Sequence, residues 1–308
     1  MKFFRAIRRN GKATTGAILL AVFVVLALFP GLFAHDDPNA EIYPRNLGPS
    51  AQHLFGTTGL GQDLYAQAVY GTRQVLLIAF GAGLFTTLIA AAVGVAAAYL
   101  GGLWDSVLNF VTDVLLVIPI FPLLIIIAAY LPSAGNNVLI LVLTFTGWSY
   151  TARQLRSQAQ SIRSRDFLLA ARVRGERPFY IIVVEIIPTM TSLLLASFLN
   201  NALYAVLAGS GLQFIGLGNA NNVSWGTTLY WAQQNNALGS GLYVWAIVPG
   251  ACIALLGAAF AFFNYAFDEI GNPALRPLTA AKVRKAAEAH SAAAGHKRRL
   301  ASHGARAR

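Results

Sequence analysis

Apolar runs too long for a soluble core constrain this chain before any other feature. A helix needs about 20 mostly apolar residues to cross the hydrocarbon of a bilayer. Six segments reach or approach that length: Thr14–Phe33, Val75–Leu100, Val107–Leu131, Val138–Tyr150 with its flanks, Thr189–Ala208 and Tyr243–Phe267. Composition agrees, since only 11% of the 308 residues are charged against about 25% in a soluble domain. Mean hydropathy is +0.57. The expected fold is all-α, a polytopic membrane protein with six transmembrane helices.

Charge sets the expected orientation, because cationic residues gather in cytoplasmic loops. The N-terminal tail holds Lys2, Arg5, Arg8, Arg9 and Lys12, and the connection Thr151–Pro188 holds seven arginines. Nine more cations follow Phe267, whereas Arg45 alone lies between Ala34 and Thr72, and none lies in Gly209–Leu242. Both termini are therefore expected in the cytoplasm of a multi-pass plasma (inner) membrane protein. The expected organisation is a cytoplasmic tail (1–13), a membrane anchor (14–34), an extracytoplasmic segment (35–72), a transmembrane domain (73–267) containing a cytoplasmic loop (151–188), and a basic cytoplasmic tail (268–308). The first apolar run exceeds the ~7–15 residues of a signal peptide, and Leu32 stands where a cleavage site prefers a small residue. A retained anchor is expected.

The net charge of +11 does not imply nucleic-acid binding, because the cations flank apolar spans without interleaved aromatic platforms. The Ala-rich basic tail Thr279–Arg308 is expected to be a solvated, partly disordered segment, with attraction to membrane lipid second. The five histidines form no ligand-spaced cluster and Cys252 is the only cysteine, so neither a metal centre nor an intrachain disulfide is expected. Small residues along the second span (Gly81, Gly83, Ala90–Ala92, Gly94) allow close helix contact. Pro119 and Pro122 should kink the third. Asp113 lies inside that third span, where a carboxylate needs a partner. An arginine or hydroxyl on a neighbouring helix is the expected one, as an intramembrane polar contact. An ion-coupled carrier would call for a second intramembrane ionisable group.

The stretch DFLLAARVRGERP, Asp166–Pro178, interrupts the apolar pattern. Ser164 can cap a helix starting at Arg165, with Asp166 at its positive end. Phe167, Ala170, Ala171 and Arg174 then share one side, Arg172 lies beside them, and Gly175 stops the helix ahead of Pro178. Two small residues and several arginines suit docking against another surface. Pattern alone leaves this open against an interfacial helix resting on lipid.

The spacing Ala170-Ala171-x3-Gly175-x11-Ile187-Pro188 resembles the cytoplasmic EAA loop of bacterial ABC importer permeases. Leu169 replaces the signature Glu, and Glu185 a usual aliphatic residue. Phe55–Gln74, Tyr99–Pro119, Phe214–Leu229 and the terminal VPGACIAL and NPALRP stretches are similar, in order, to the peptide/nickel class of these permeases, dipeptide/oligopeptide permease C type. That family often has Asp, Arg and Arg where Thr58, Gln62 and Gln67 stand here, and a Glu where Gly209 stands. The resemblance implies a type I ABC importer permease fold. It also implies that Asp166, Phe167, Ala170, Ala171, Arg172, Arg174 and Gly175 couple to an ATPase. No GxxxxGK[ST] phosphate loop occurs in the chain. ATP and Mg are therefore expected on two partner ATPase subunits, with no cofactor and no catalytic residue on this chain. A second homologous permease subunit and an extracytoplasmic substrate-binding protein complete the implied assembly. Peptides are the implied cargo, ahead of nickel chelates or oligosaccharides. A membrane scaffold without transport is the rival from another class.

Overall fold

A computed structural model describes residues 11–130 and 135–271. The first ten residues, the end of the third apolar run at Leu131, and the basic tail from Asn272 lie outside them. Among the described residues the chain is helical, with one isolated bridge between Thr57 and Asp63.

Helix α1 spans Gly11–Leu28 and breaks at Phe29, where Pro30 opens a single further turn. A folded connection then leads to α2, Leu64–Leu100. This helix has 37 residues, or ~55 Å at the usual rise, and begins well before the expected Val75. Its start is fixed by Asp63, whose Oδ1 accepts the Ala66 N–H at 2.7 Å while Oδ2 lies 2.7 Å from His53 Nδ1. Helices α3 (Gly102–Val117) and α4 (Ile120–Ala129) meet at an 85° bend. The break sits at Pro119, the first of the two expected kinks, since a proline supplies no N–H and crowds the preceding turn.

Helix α5, Asn136–Ile162, runs far past the apolar Val138–Tyr150 core into a polar half bearing Arg153, Gln154, Arg156 and Gln158. After the short α6 (Asp166–Val173) an apolar segment, Pro178–Thr189, contains a π turn at Ile181–Ile186 just ahead of Pro188. Helices α7 (Thr191–Phe214), α8 (Trp225–Gln234) and α9 (Tyr243–Gly271) complete the fold. By length and composition α1, α2, α7 and α9 can each cross a membrane, and the bent α3–α4 pair adds a fifth if it counts as one broken span rather than a re-entrant loop. Helix α5 is long enough to span but too polar in its second half to be apolar over a full membrane length.

The core forms around α2. Its Gly94 lies so close to α5 that a β-carbon there would sit 2.4 Å from the Ala152 carbonyl oxygen, and at Gly83 it would sit 3.0 Å from the backbone of Ala202 on α7. One cluster joins α1, α2, α7 and α9 through Phe23, Ala79, Val206, Leu256 and Phe260. Trp225 enters the same cluster, and its Nε1–H donates to the Ala68 carbonyl at 2.9 Å. Between α2, α5 and α7 a buried polar bridge replaces apolar contact. Asn201 Nδ2 donates to Thr87 Oγ1 at 3.0 Å, and Thr151 Oγ1 donates to Asn201 Oδ1 at 2.9 Å.

Candidate functional site

Helix α6 is largely exposed yet anchored to the bundle through Leu168 and Ala171. It starts one residue later than the sequence suggests. Arg165 takes the N-cap position with extended backbone and no side-chain bond, which leaves Ser164 too far upstream to cap. Its end follows expectation. Gly175 has φ +77°, a left-handed conformation that favours glycine. The Glu176 N–H donates to the Ala171 carbonyl and the Gly175 N–H to that of Arg172, the double closure of a Schellman stop.

The two alanines part company. Ala171 is fully buried with Leu168, in a cluster that includes Leu155 and Ala159 of α5 and Ile181 and Ile186 of the π turn. Ala170 faces outward, with Leu169 and the 89%-exposed Val173 around it and Phe167 at the edge. The expected grouping of Ala171 with Phe167, Ala170 and Arg174 on one outer side is therefore corrected. A helix of about two turns needs an inner face as well as an outer one, and Leu168 pulls Ala171 inward. The accessible face is Asp166, Leu169, Ala170 and Val173, with Arg172 and Arg174 flanking it.

Both arginines are also tied to the bundle. The Arg172 guanidinium lies over the Tyr99 ring, 5.1 Å from its centroid, a cation–π contact. Arg174 pairs with Glu176 at 3.7 Å and Glu185 at 3.5 Å, so Glu185, unusual by resemblance, has a partner on the same surface. Tyr99 is near the end of α2, and the Ala98 beside it joins the cluster that seats Leu168 and Ala171.

Asp113 of α3 is paired with Arg153 of α5. About two turns away on α3, Asp105 accepts two bonds of 2.8 Å from Arg156, and Asn109 donates to the same carboxylate at 2.6 Å. Arg153 is the neighbouring-helix arginine expected for Asp113, whereas the Asp105–Arg156 pair was not anticipated. The i, i+3 spacing of Arg153 and Arg156 puts both on one face of α5, but it does not show that α3 lies against that face.

At the other end of α2, Thr58, Gln62 and Gln67 are buried. Gln67 Nε2 donates to Gln62 Oε1 at 2.7 Å and to the Pro38 carbonyl at 3.3 Å, while Thr228 Oγ1 donates to Gln67 Oε1 at 3.4 Å. Neutral hydrogen bonds thus join the connection, α2 and α8. Among the described residues no group of three or more His, Cys, Asp or Glu could hold a metal ion.

Residues 73–270 match the family described as the binding-protein-dependent transport system inner membrane component. The oligopeptide transport system permease protein OppC of Mycobacterium tuberculosis H37Rv is 36% identical over 231 residues, covering 73% of this chain and 78% of its own. The dipeptide transport system permease protein DppC of Bacillus subtilis is 32% identical over 278 residues, 89% of this chain and 85% of its own. The glutathione transport system permease protein GsiD of Escherichia coli O6:K15:H31 is 29% identical over 282 residues, 89% and 90% of the two chains. With an all-helical bundle, several membrane-length apolar helices and a family match over most of its length, this chain belongs to the inner-membrane permease components of binding-protein-dependent transport systems.

Proposed function

We propose that this chain is one of two homologous permease subunits of an ATP-driven importer of short peptides. One of two ATPase subunits, carrying ATP and Mg, seats on the outer face of α6, and an extracytoplasmic binding protein delivers the cargo. The observation that carries this reading is the division of α6. Leu168 and Ala171 lock one face into the bundle, while Leu169, Ala170 and Val173 present an uncovered apolar patch on the other. Such a patch marks a contact surface. A seat fixed on its inner side can pass on a push received on its outer side. Moving a two-state permease from 1:99 to 99:1 takes about 5.5 kcal/mol of differential binding, more than a loosely tethered helix transmits.

Peptide cargo is supported by the three relatives named above, whose names specify oligopeptide, dipeptide and glutathione transport. The arginine distribution supports both termini inside, with α5 as the sixth span despite its polar half, which emerges on the side of α6. The pairing of Asp113 with Arg153 speaks against an ion-coupled carrier, since the carboxylate is engaged in a structural contact.

Two measurements test this. Cysteine placed at Ser161 should react with an impermeant thiol reagent only after permeabilisation, and cysteine at Asn221 without it; the reverse sinks the orientation. Val173→Glu should reduce co-purification of the ATPase subunits and peptide-stimulated ATP turnover in proteoliposomes while the permease pair persists. Unchanged docking would reject the seat and favour a lipid-resting helix, and docking without peptide-dependent turnover would favour a scaffold.

A further inference from the structure

A cavity of about 500 Å³ opens at the end of α2 remote from α6, between the connection that precedes α2 and the segment leading into α8. That volume lies within the ~300–1,000 Å³ of ligand pockets. Its lining is rich in carboxamides: Asn39, Gln62, Gln67, Asn221 and Asn222. Glu41 is the one ionised side chain among the lining residues, and no lysine, arginine or histidine joins it.

Gln62 is the informative member. Only 9% of it is exposed, yet it uses one end of its amide, the oxygen that receives Gln67. The other end makes no hydrogen bond to any described residue. The nitrogen is not sealed from solvent; it lines the cavity, where its N–H groups can donate to an incoming acceptor. Gln67 cannot turn away, because Pro38, Gln62 and Thr228 hold all of its polar atoms. The pair is therefore a fixed, half-used amide aimed into an open polar space.

We propose that this cavity is a binding site for the amino-terminal end of a short peptide. Each carboxamide offers both a donor and an acceptor, the complement of a peptide group. Gln62 supplies its idle amide end to the first peptide bond, and Asn39, Asn221 and Asn222 serve the rest. Glu41 receives the terminal ammonium group, and the absence of a lining cation directs the carboxylate end out through the mouth. A sugar would suit the amides but leave Glu41 without a counter-charge. The site lies some 50 Å along α2 from α6 by helix length, so it acts before translocation, at the face where cargo arrives.

The choice of ligand rests on the peptide-importer reading. The test uses the assembled permease pair with its ATPase subunits in lipid nanodiscs, without the external binding protein, and radiolabelled trialanine, N-acetyl-trialanine and maltotriose at equilibrium. Trialanine should bind saturably, and blocking its amino group should weaken binding about tenfold, the scale of one charge-assisted hydrogen bond. Glu41→Gln, an exposed and conservative change, should abolish that preference, whereas Gln62→Leu should weaken both peptides while the complex still co-purifies. Absence of saturable trialanine binding, equal binding of the acetylated form, preference for maltotriose, or binding indifferent to both variants would each overturn the proposal. Trialanine uptake by the intact system, binding protein included, separates the two readings. Retained uptake alongside any of those results removes the cavity site alone, and failure of all peptide uptake removes the peptide reading itself.

Discussion

The same substitution at two adjacent alanines should have two different outcomes. Ala171→Glu drives extra heavy atoms into a site with no solvent exposure, against Leu155, Ala159, Ile181 and Ile186. Overpacking of this kind costs about 1–3 kcal/mol, and burying an unpartnered polar group adds about 1–3 kcal/mol even if the carboxyl stays protonated. Against this, α6 buries only Leu168 and Ala171, and a buried leucine contributes about 1.5–3 kcal/mol. The penalty matches or exceeds the anchorage, so α6 should leave its seat rather than the bundle absorb the change. Ala170→Glu points outward and should shift stability by less than about 0.5 kcal/mol, while placing a charge in the patch where a partner closes. Trypsin cleavage at Arg172 and Arg174 reads detachment directly. Ala171→Glu should be cut much faster than wild type, and Ala170→Glu at the wild-type rate. Both variants should lose ATPase co-purification, only the first with its own fold disturbed. Wild-type protease resistance in Ala171→Glu, or equal cleavage of the two variants, would refute the inward and outward division of α6.

Three further substitutions test the frame around that helix. Gly94→Val places a branched side chain against the Ala152 carbonyl at the tightest α2–α5 contact and should lower the thermal midpoint of the purified complex by several degrees, consistent with about 1–3 kcal/mol of overpacking. Gly175→Val forces a β-branched residue to φ +77°, with about 1–3 kcal/mol of strain; faster trypsin cleavage at Arg174, with the midpoint of the bundle unchanged, is the expected signature. Asp113→Asn should reduce yield of the assembled complex through loss of the Arg153 pair and leave the pH and sodium dependence of uptake as in wild type; a lost ion dependence would reinstate a carrier.

How far the sequence discloses this structure depends on which force shaped each part. The apolar runs locate α1, α2, α7 and α9, because avoidance of water and the need for about 20 residues both leave marks on composition. The length of α2 before Val75 is less visible, since its first turns are held by local polar contacts such as the Asp63 cap and the Gln62–Gln67 amides. Hydropathy under-reads α5 for a related reason: the helix continues while its surroundings change from apolar to polar near Tyr150. The bend at Pro119 was legible because proline acts locally. The docking face was legible as an element but not as a direction. Two neighbouring alanines look alike on a helical wheel, and only the seat for Leu168, built from α5 and the π turn, decides which one turns inward. The Asp105–Arg156 and Asp113–Arg153 pairs required knowing that α3 lies beside α5, which spacing within either helix does not reveal.

The unbroken length of α2 has a mechanical consequence. Its two ends carry different duties, one holding Gln67 and Ala68 against the connection and α8, the other holding Ala98 and Tyr99 beneath α6. Between them, Gly83 and Gly94 press the rod against α7 and α5 at separations that leave no room to slide, so these crossings serve as a fulcrum. A rigid helix of ~55 Å rocked by ~10° about its middle displaces each tip by ~5 Å, close to one helical turn. A tilt too small to open a gap at the fulcrum is thus multiplied at both tips, and in opposite directions. A rocking motion received at one end of α2 would be delivered, inverted, at the other.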